Sequence, residues 1–267
     1  MKKTLSWILC VAALLALLSG CLNDPGEKLP QTDWWAEQQL PQPITDLSQN
    51  LTKSGGIRPM LKKGIPVVKV LDAPSDGSAD VTAALREAIN YASANFNGGI
   101  VYIPAGRYRL EGSVTVKSNV TLMGEWTQPE ADTDKSALTV FEIYDREGLG
   151  YTLGGASGTF NLVGNAGLSD ITFYYPNQGK GGIKSYPATI SNDGSYMQVW
   201  MENLTLVNAY SGIEINGLNG SIYRNVYMTA LNNGMYLNGL REIPVVENIK
   251  SDRSFGTILT TVIPLTQ

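Results

Sequence analysis

Three stretches decide how this chain folds: Asn203-Leu204-Thr205-Leu206, Asn225-Val226-Tyr227-Met228 and Asn248-Ile249-Lys250-Ser251. Their asparagines lie 22 and 23 residues apart. A second series runs in phase with the first: Gly212-Ile213-Glu214-Ile215, Gly234-Met235-Tyr236-Leu237 and Gly256-Thr257-Ile258-Leu259, with glycines 22 and 22 residues apart. A period this short excludes helix-pair repeats, and neither series presents a helical face. Two or three short strands with turns fill it, which makes each unit one turn of a parallel β-solenoid. In that geometry Leu204, Leu206, Val226, Met228 and Ile249 point inward and stack from coil to coil, while the residues between them point out. The asparagines stack too, about 4.8 Å apart, where their amides can bond as a ladder. Less regular copies are expected at Asn119-Val120-Thr121-Leu122 and Asp170-Ile171-Thr172-Phe173.

Upstream of the repeat, Val67 to Val70 reads as a strand. Asp80 then stands before Val81, Ala84, Leu85, Ala88, Ile89 and Ala92, which share one face of a helix. Asp80 is placed to cap it, and Asn97-Gly98-Gly99 to stop it. Short strands follow at 100–103, 107–110, 114–116 and 120–122. The expectation is an all-β, single-stranded, right-handed parallel β-helix over 66–267, with this helix capping its first coil. The apolar end at Ile258 to Pro264 stops within a coil, so the domain is expected to be incomplete at its C-terminal side.

Of the 267 residues, 43% are hydrophobic, enough for a full core, and 16% are charged, with a net charge of -4. No basic face of the kind phosphate backbones demand is visible, which argues against nucleic acid. There is no histidine, so the usual neutral-pH proton shuttle and the commonest zinc ligand are both missing. The two cysteines, Cys10 and Cys21, fall at the start and cannot staple the body.

That start has its own logic. Lys2-Lys3, an apolar run from Leu5 to Leu18, and Leu18-Ser19-Gly20-Cys21 follow the order of an export signal. The last quartet resembles the lipobox of bacterial lipoproteins, which implies a signal peptide at 1–20, lipidation of Cys21, and membrane attachment through that anchor. Leu22 in place of aspartate favours the outer membrane in a cell with two. An ordinary signal peptide ending in a chance cysteine is the plainer alternative. Residues 21–65, punctuated by prolines, read as a tether, and Trp34-Trp35 within it either packs on the body or stacks on sugar.

The stretches Asp76-Gly77-Ser78-Ala79-Asp80-Val81-Thr82-Ala83-Ala84-Leu85 and Gly98-Gly99-Ile100-Val101-Tyr102-Ile103-Pro104-Ala105-Gly106-Arg107-Tyr108, followed by Ser118 to Glu125, resemble the opening of the pectate lyase superfamily, with one departure at Val81, where that family often has a second acidic residue. The resemblance covers 66–126 and implies a right-handed parallel β-helix and a polysaccharide partner. It carries over no catalytic motif, because the histidine and clustered aspartates of polygalacturonases are absent. Calcium enters only through this resemblance, and no acidic cluster is evident by spacing.

Candidates for chemistry are the outward residues. Glu214, with Tyr236 one coil above it, and Lys250, Asp252 and Arg253 near the last asparagine strand are the expected acid, base and charge. The alternative is a solvated face with ordinary ion pairs. Tyr227 and Tyr236 are the expected sugar-stacking surface, or else ordinary strand residues. Glu202, Arg224 and Glu247 form one column of alternating charge, read as cross-coil pairing. The functional expectation is a surface lyase or glycoside hydrolase. A noncatalytic glycan-binding module and a fragment lacking its catalytic coils stand beside it.

Overall fold

The computed structural model describes residues 65–252 except 131–133, 150, 152, 154–157, 193, 195–197, 218–219 and 240–241. Cys21, Trp34-Trp35, Arg253 and the Gly256 unit lie outside the described residues.

The strands pair in parallel into one curled, 13-stranded sheet. Its register resolves into three faces. Face I stacks β1 (Val67–Val70), β3 (Gly99–Tyr102), β6 (Val120–Met123) and the first residues of β9 (Gly167–Tyr174), β11 (Trp200–Asn216), β12 (Ile222–Asn238) and β13 (Val245–Ser251). Face II stacks β2 (Asp76–Asp80), β4 (Gly106–Leu110), β7 (Thr139–Ile143) and the continuations of β9, β11, β12 and β13. Face III stacks β5 (Val114–Val116), β8 (Phe160–Leu162), β10 (Ala188–Asn192) and the last parts of β11 and β12. From β3 to the end of β12 each turn of chain visits all three faces, which makes the architecture a parallel β-helix.

Inward side chains form one continuous core. Leu204 and Val226 are fully buried, and Ile249 packs against them on the last described coil. Phe141, Phe160 and Phe173 fill the centre, with ring centroids 5.1–6.2 Å apart. Burial of such side chains is worth about 1.5–3 kcal/mol each, and stacking in register repeats that gain coil after coil.

The corner between faces I and II is where the asparagines act. Asp170, Asn203, Asn225 and Asn248 all have positive φ, between 52° and 60°. Asparagine and aspartate tolerate this left-handed backbone because their short polar side chains bond locally. Each Nδ2 donates to the Oδ1 one coil below, at 2.8 Å, from Asn248 to Asn225 to Asn203 to Asp170. The expected ladder therefore forms, with Asp170 as its first rung. Asn119 does not join it. It pairs instead with Asn165, at the corner before face I, 3.2 Å away, because β6 aligns Thr121 with Gly167 rather than with Thr172. The repeat glycines have a steric cause: a Cβ on Gly212 would sit 2.3 Å from the carbonyl oxygen of Gly234 in the next coil.

Helix α1 (Thr82–Phe96) occupies the first turn between β2 and β3. Val81, Leu85, Ala88, Ile89 and Ala92 are buried and join the core, while Ala84 packs at its edge. Asp80 Oδ1 accepts the Thr82 backbone N–H at 2.9 Å, and Asn97 ends the helix in the left-handed region. The column Glu202–Arg224–Glu247 is joined by Arg224, whose Nε lies 2.6 Å from Glu247 and whose Nη1 lies 3.4 Å from Glu202.

Candidate active site

Face III gathers the group best suited to chemistry. In β11, Ile213 and Ile215 point into the core, so alternation turns Glu214 outward between them. Register then sets it in the row Thr115–Asn161–Ser191–Glu214–Tyr236. Outward does not mean open here. Glu214 is only 5% exposed, because Tyr151 lies over it from the segment after β7.

The Tyr151 hydroxyl donates to Glu214 Oε1, and the Ser211 hydroxyl donates to the same oxygen. Asn233, the register partner of Ser211, donates its Nδ2 to the Tyr151 oxygen at 2.9 Å. The Tyr151 ring rests edge-on against Tyr210, centroids 5.3 Å apart. Burial first, and then the hydrogen bond to Glu214, hold the Tyr151 phenol above its ordinary pKa, so it keeps its proton. The result is a carboxylate and a proton-bearing phenol in direct contact. Beside them a row of amides closes the edge of the face: Asn192 Oδ1 accepts the Asn216 backbone N–H at 2.9 Å, and Asn238 Nδ2 donates to Asn216 Oδ1 at 3.3 Å.

The other expected residues fall elsewhere. Lys250 lies on face II, in register with Tyr227, and is two coils away from Glu214. Asp252 follows β13 on the same side, its backbone N–H bonded to the Met228 carbonyl at 3.0 Å. Continuing the strand through the Asn208 corner, where φ is 58°, carries Glu214 to a different face, so shared outwardness did not bring these residues together. Tyr236 does stand beside Glu214 in register and is half-buried. Tyr227 is no open stacking surface. It is 2% exposed, with Trp126 against its ring and Asn248 Nδ2 on its hydroxyl at 3.0 Å. Tyr151 escapes sequence reading altogether, because it comes from a connection 63 residues upstream of Glu214 and outside the repeat. Ser211 and Asn233 could have been found, since the 22-residue period places them in one column.

Among the described residues no group of three or more Asp, Glu or Cys side chains gathers as a ligand set. Carboxylates that could have served are matched already: Glu142 by Arg107, Asp145 by Arg146, and Glu147 by Lys184. A calcium ion wants six to eight oxygens, more than these paired carboxylates bring together.

Residues 67–148 match the family described as rhamnogalacturonase A/epimerase, pectate lyase-like. The match spans the opening coils, from β1 to just past β7. Mannuronan C5-epimerase AlgE5 of Azotobacter vinelandii is 34% identical over 112 residues, which is 39% of this chain and 10% of that protein. AlgE3 of the same organism is 45% identical over 64 residues, 21% of this chain and 3% of that protein. The chain thus spans a tenth or less of the length of these curated relatives. Among solved structures, the A-module of AlgE4 from the same organism aligns with a TM-score of 0.47 and 22% identity, covering 67% of this chain and 50% of that one.

Proposed function

We propose that this chain acts on an acidic polysaccharide laid across face III, with Glu214 and Tyr151 as its proton-transfer pair. The observation that carries the reading is the contact between the Glu214 carboxylate and the Tyr151 hydroxyl on an outward strand of the solenoid. The row holding Glu214 carries one carboxylate, whereas glycoside hydrolysis needs two flanking the bond. One base and one phenol suit removal of the C5 proton of a uronate instead. Glu214 takes that proton. In β-elimination the C5 electron pair forms the C4–C5 double bond and the O4 leaving group is expelled, with Tyr151 donating its proton to that oxygen. Epimerisation would differ in its second half: a proton returns to C5 from the opposite face, from a donor other than Tyr151, whose contact with Glu214 keeps it on the side of the base. Mannuronan C5-epimerase, the name its relatives carry, describes chemistry at the same carbon. Amides of Asn216, Asn233 and Asn238 are the donors available to the uronate carboxylate.

Glu214→Gln and Tyr151→Phe test this on alginate and polygalacturonate, read as unsaturated ends and as changed C5 configuration. Each substitution should lower turnover by about 100-fold or more while leaving the fold intact. Wild-type turnover retained by the folded Glu214→Gln variant would refute the assignment. A second reading, a binding module without chemistry, draws support from the near-complete cover over Glu214; inactivity of the folded wild type on both polymers together with their retention would favour it.

Export and attachment through a lipid on Cys21 complete the proposal. Labelling with a fatty-acid analogue should mark the wild type and not Cys21→Ser, and equal labelling would overturn the anchor.

A further inference from the structure

Face II lies around the Asn208 corner from Glu214 and carries side chains that the proposed reaction does not use. One outward row along it reads Arg107, Val140, Thr172, Thr205, Tyr227 and Lys250. Five interstrand steps make this row about 24 Å long. Near its far end Trp126, from the segment after β6, crosses the row. Its indole N–H donates to Thr205 Oγ1 at 2.8 Å, and its ring lies 5.9 Å from that of Tyr227 at an angle of 41°. Lys250 brings its Nζ to 5.4 Å from the centre of the same tyrosine. Tyr227 is buried, Trp126 half-buried and Lys250 exposed. Buried Tyr227 is therefore shared, met by the indole and by the ammonium.

A tryptophan used only as filler needs no fixed tilt. Here the polar edge of the indole is tied to the sheet, the ring is only half-buried, and an exposed cation meets the same tyrosine. An aromatic surface beside an ammonium suits a sugar ring that carries a carboxylate: the C–H face meets the indole and the charge meets the lysine. Toward the other end of the face, Arg107 has a side chain 62% exposed, and the Arg109 guanidinium lies 4.6 Å from the centre of the Tyr144 ring. We infer that face II is a second, noncatalytic binding face for the acidic polysaccharide, with Trp126 and Lys250 as its main contacts. The class of ligand rests on the function proposed above; the position of the face does not.

The test uses the full chain carrying Glu214→Gln, so that binding is read without turnover. Retardation in gels containing sodium alginate, polygalacturonate or a neutral β-glucan is compared for this parent and for added Trp126→Ala or Lys250→Gln. The parent should be retarded by an acidic polymer, and each added substitution should weaken binding roughly three- to tenfold. The Lys250 deficit should fade at high salt, where exposed charges are screened, and the Trp126 deficit should persist. Should Trp126→Ala fail to fold, Trp126→Phe replaces it, with loss of the tryptophan fluorescence change on adding polymer as the expected result. Variants that bind like the parent would overturn the second face. No retardation of the parent, with wild-type turnover of the same polymer intact, would overturn it too and leave the reaction standing. Retardation by the neutral glucan alone would overturn the acidic ligand here and the proposed substrate together.

Discussion

At the scale of single residues, Asp170 is the most informative side chain outside the candidate site. It is the first rung of the polar ladder, and burial pushes its carboxyl from an ordinary 3.8 up to about 7, despite the bonds that Ser169 and Asn203 donate to it. Between those values the folded state holds a proton that the unfolded chain has lost. Stability from this group is therefore full below about pH 4 and is lost as pH rises through about 7. Asp170→Asn keeps the left-handed backbone and the ladder while removing the charge. It should leave melting at pH 4 almost unchanged and raise it at pH 8 by roughly 5–10 °C, corresponding to an order of 2–4 kcal/mol. Equal melting shifts at both pH values would show that the buried charge is not the cause. Glu214 teaches the complementary lesson. Its outward direction was legible from alternation with Ile213 and Ile215, but its cover was not, because Tyr151 reaches it from a connection that follows no period.

At the scale of elements, the corner between faces I and II was readable because one residue type solves two problems there. Asparagine accepts φ near 55° and bonds its neighbours above and below. The two contributions separate in mutants of Asn225, which has a φ of 52° and a ladder bond on each side. Asn225→Gly keeps the backbone at ease and should cost about 1–2 kcal/mol for the lost amide bonds. Asn225→Ala adds the left-handed penalty and should cost about 2–4 kcal/mol in all. Urea denaturation measures both, and equal losses would remove the backbone argument. The repeat glycine is similarly explicit: Gly212→Ala should destabilise by about 2 kcal/mol or more, since the added carbon meets the Gly234 carbonyl at 2.3 Å. Phase was harder to read at the early coils. Asn119 carries the same tetrapeptide pattern as Asn203, yet pairing shows it at another corner. Face I alone does not reveal which of its two ends an isolated asparagine occupies.

At the scale of the whole molecule, a solenoid converts sequence period into spatial column, so residues 22 apart become neighbours without further instruction. That is why Glu214 and Tyr236, or Glu202, Arg224 and Glu247, could be paired from sequence. The same geometry hides which columns share a face, because the corner at Asn208 bends β11 without interrupting the strand. Lys250 and Glu214 both point outward, and they point outward in different directions. Faces II and III thereby differ in what they present, face III a carboxylate and phenol in contact and face II aromatics beside cations. The account stands most directly on the C5 proton of a uronate polymer. Alginate and polygalacturonate incubated with the 267-residue chain in deuterated water, and followed by proton NMR, give the measurement. The account predicts that the C5 resonance of one polymer is lost with the wild type and persists with folded Glu214→Gln. A C5 resonance untouched by the wild type in both polymers, or lost equally with the variant, would contradict it.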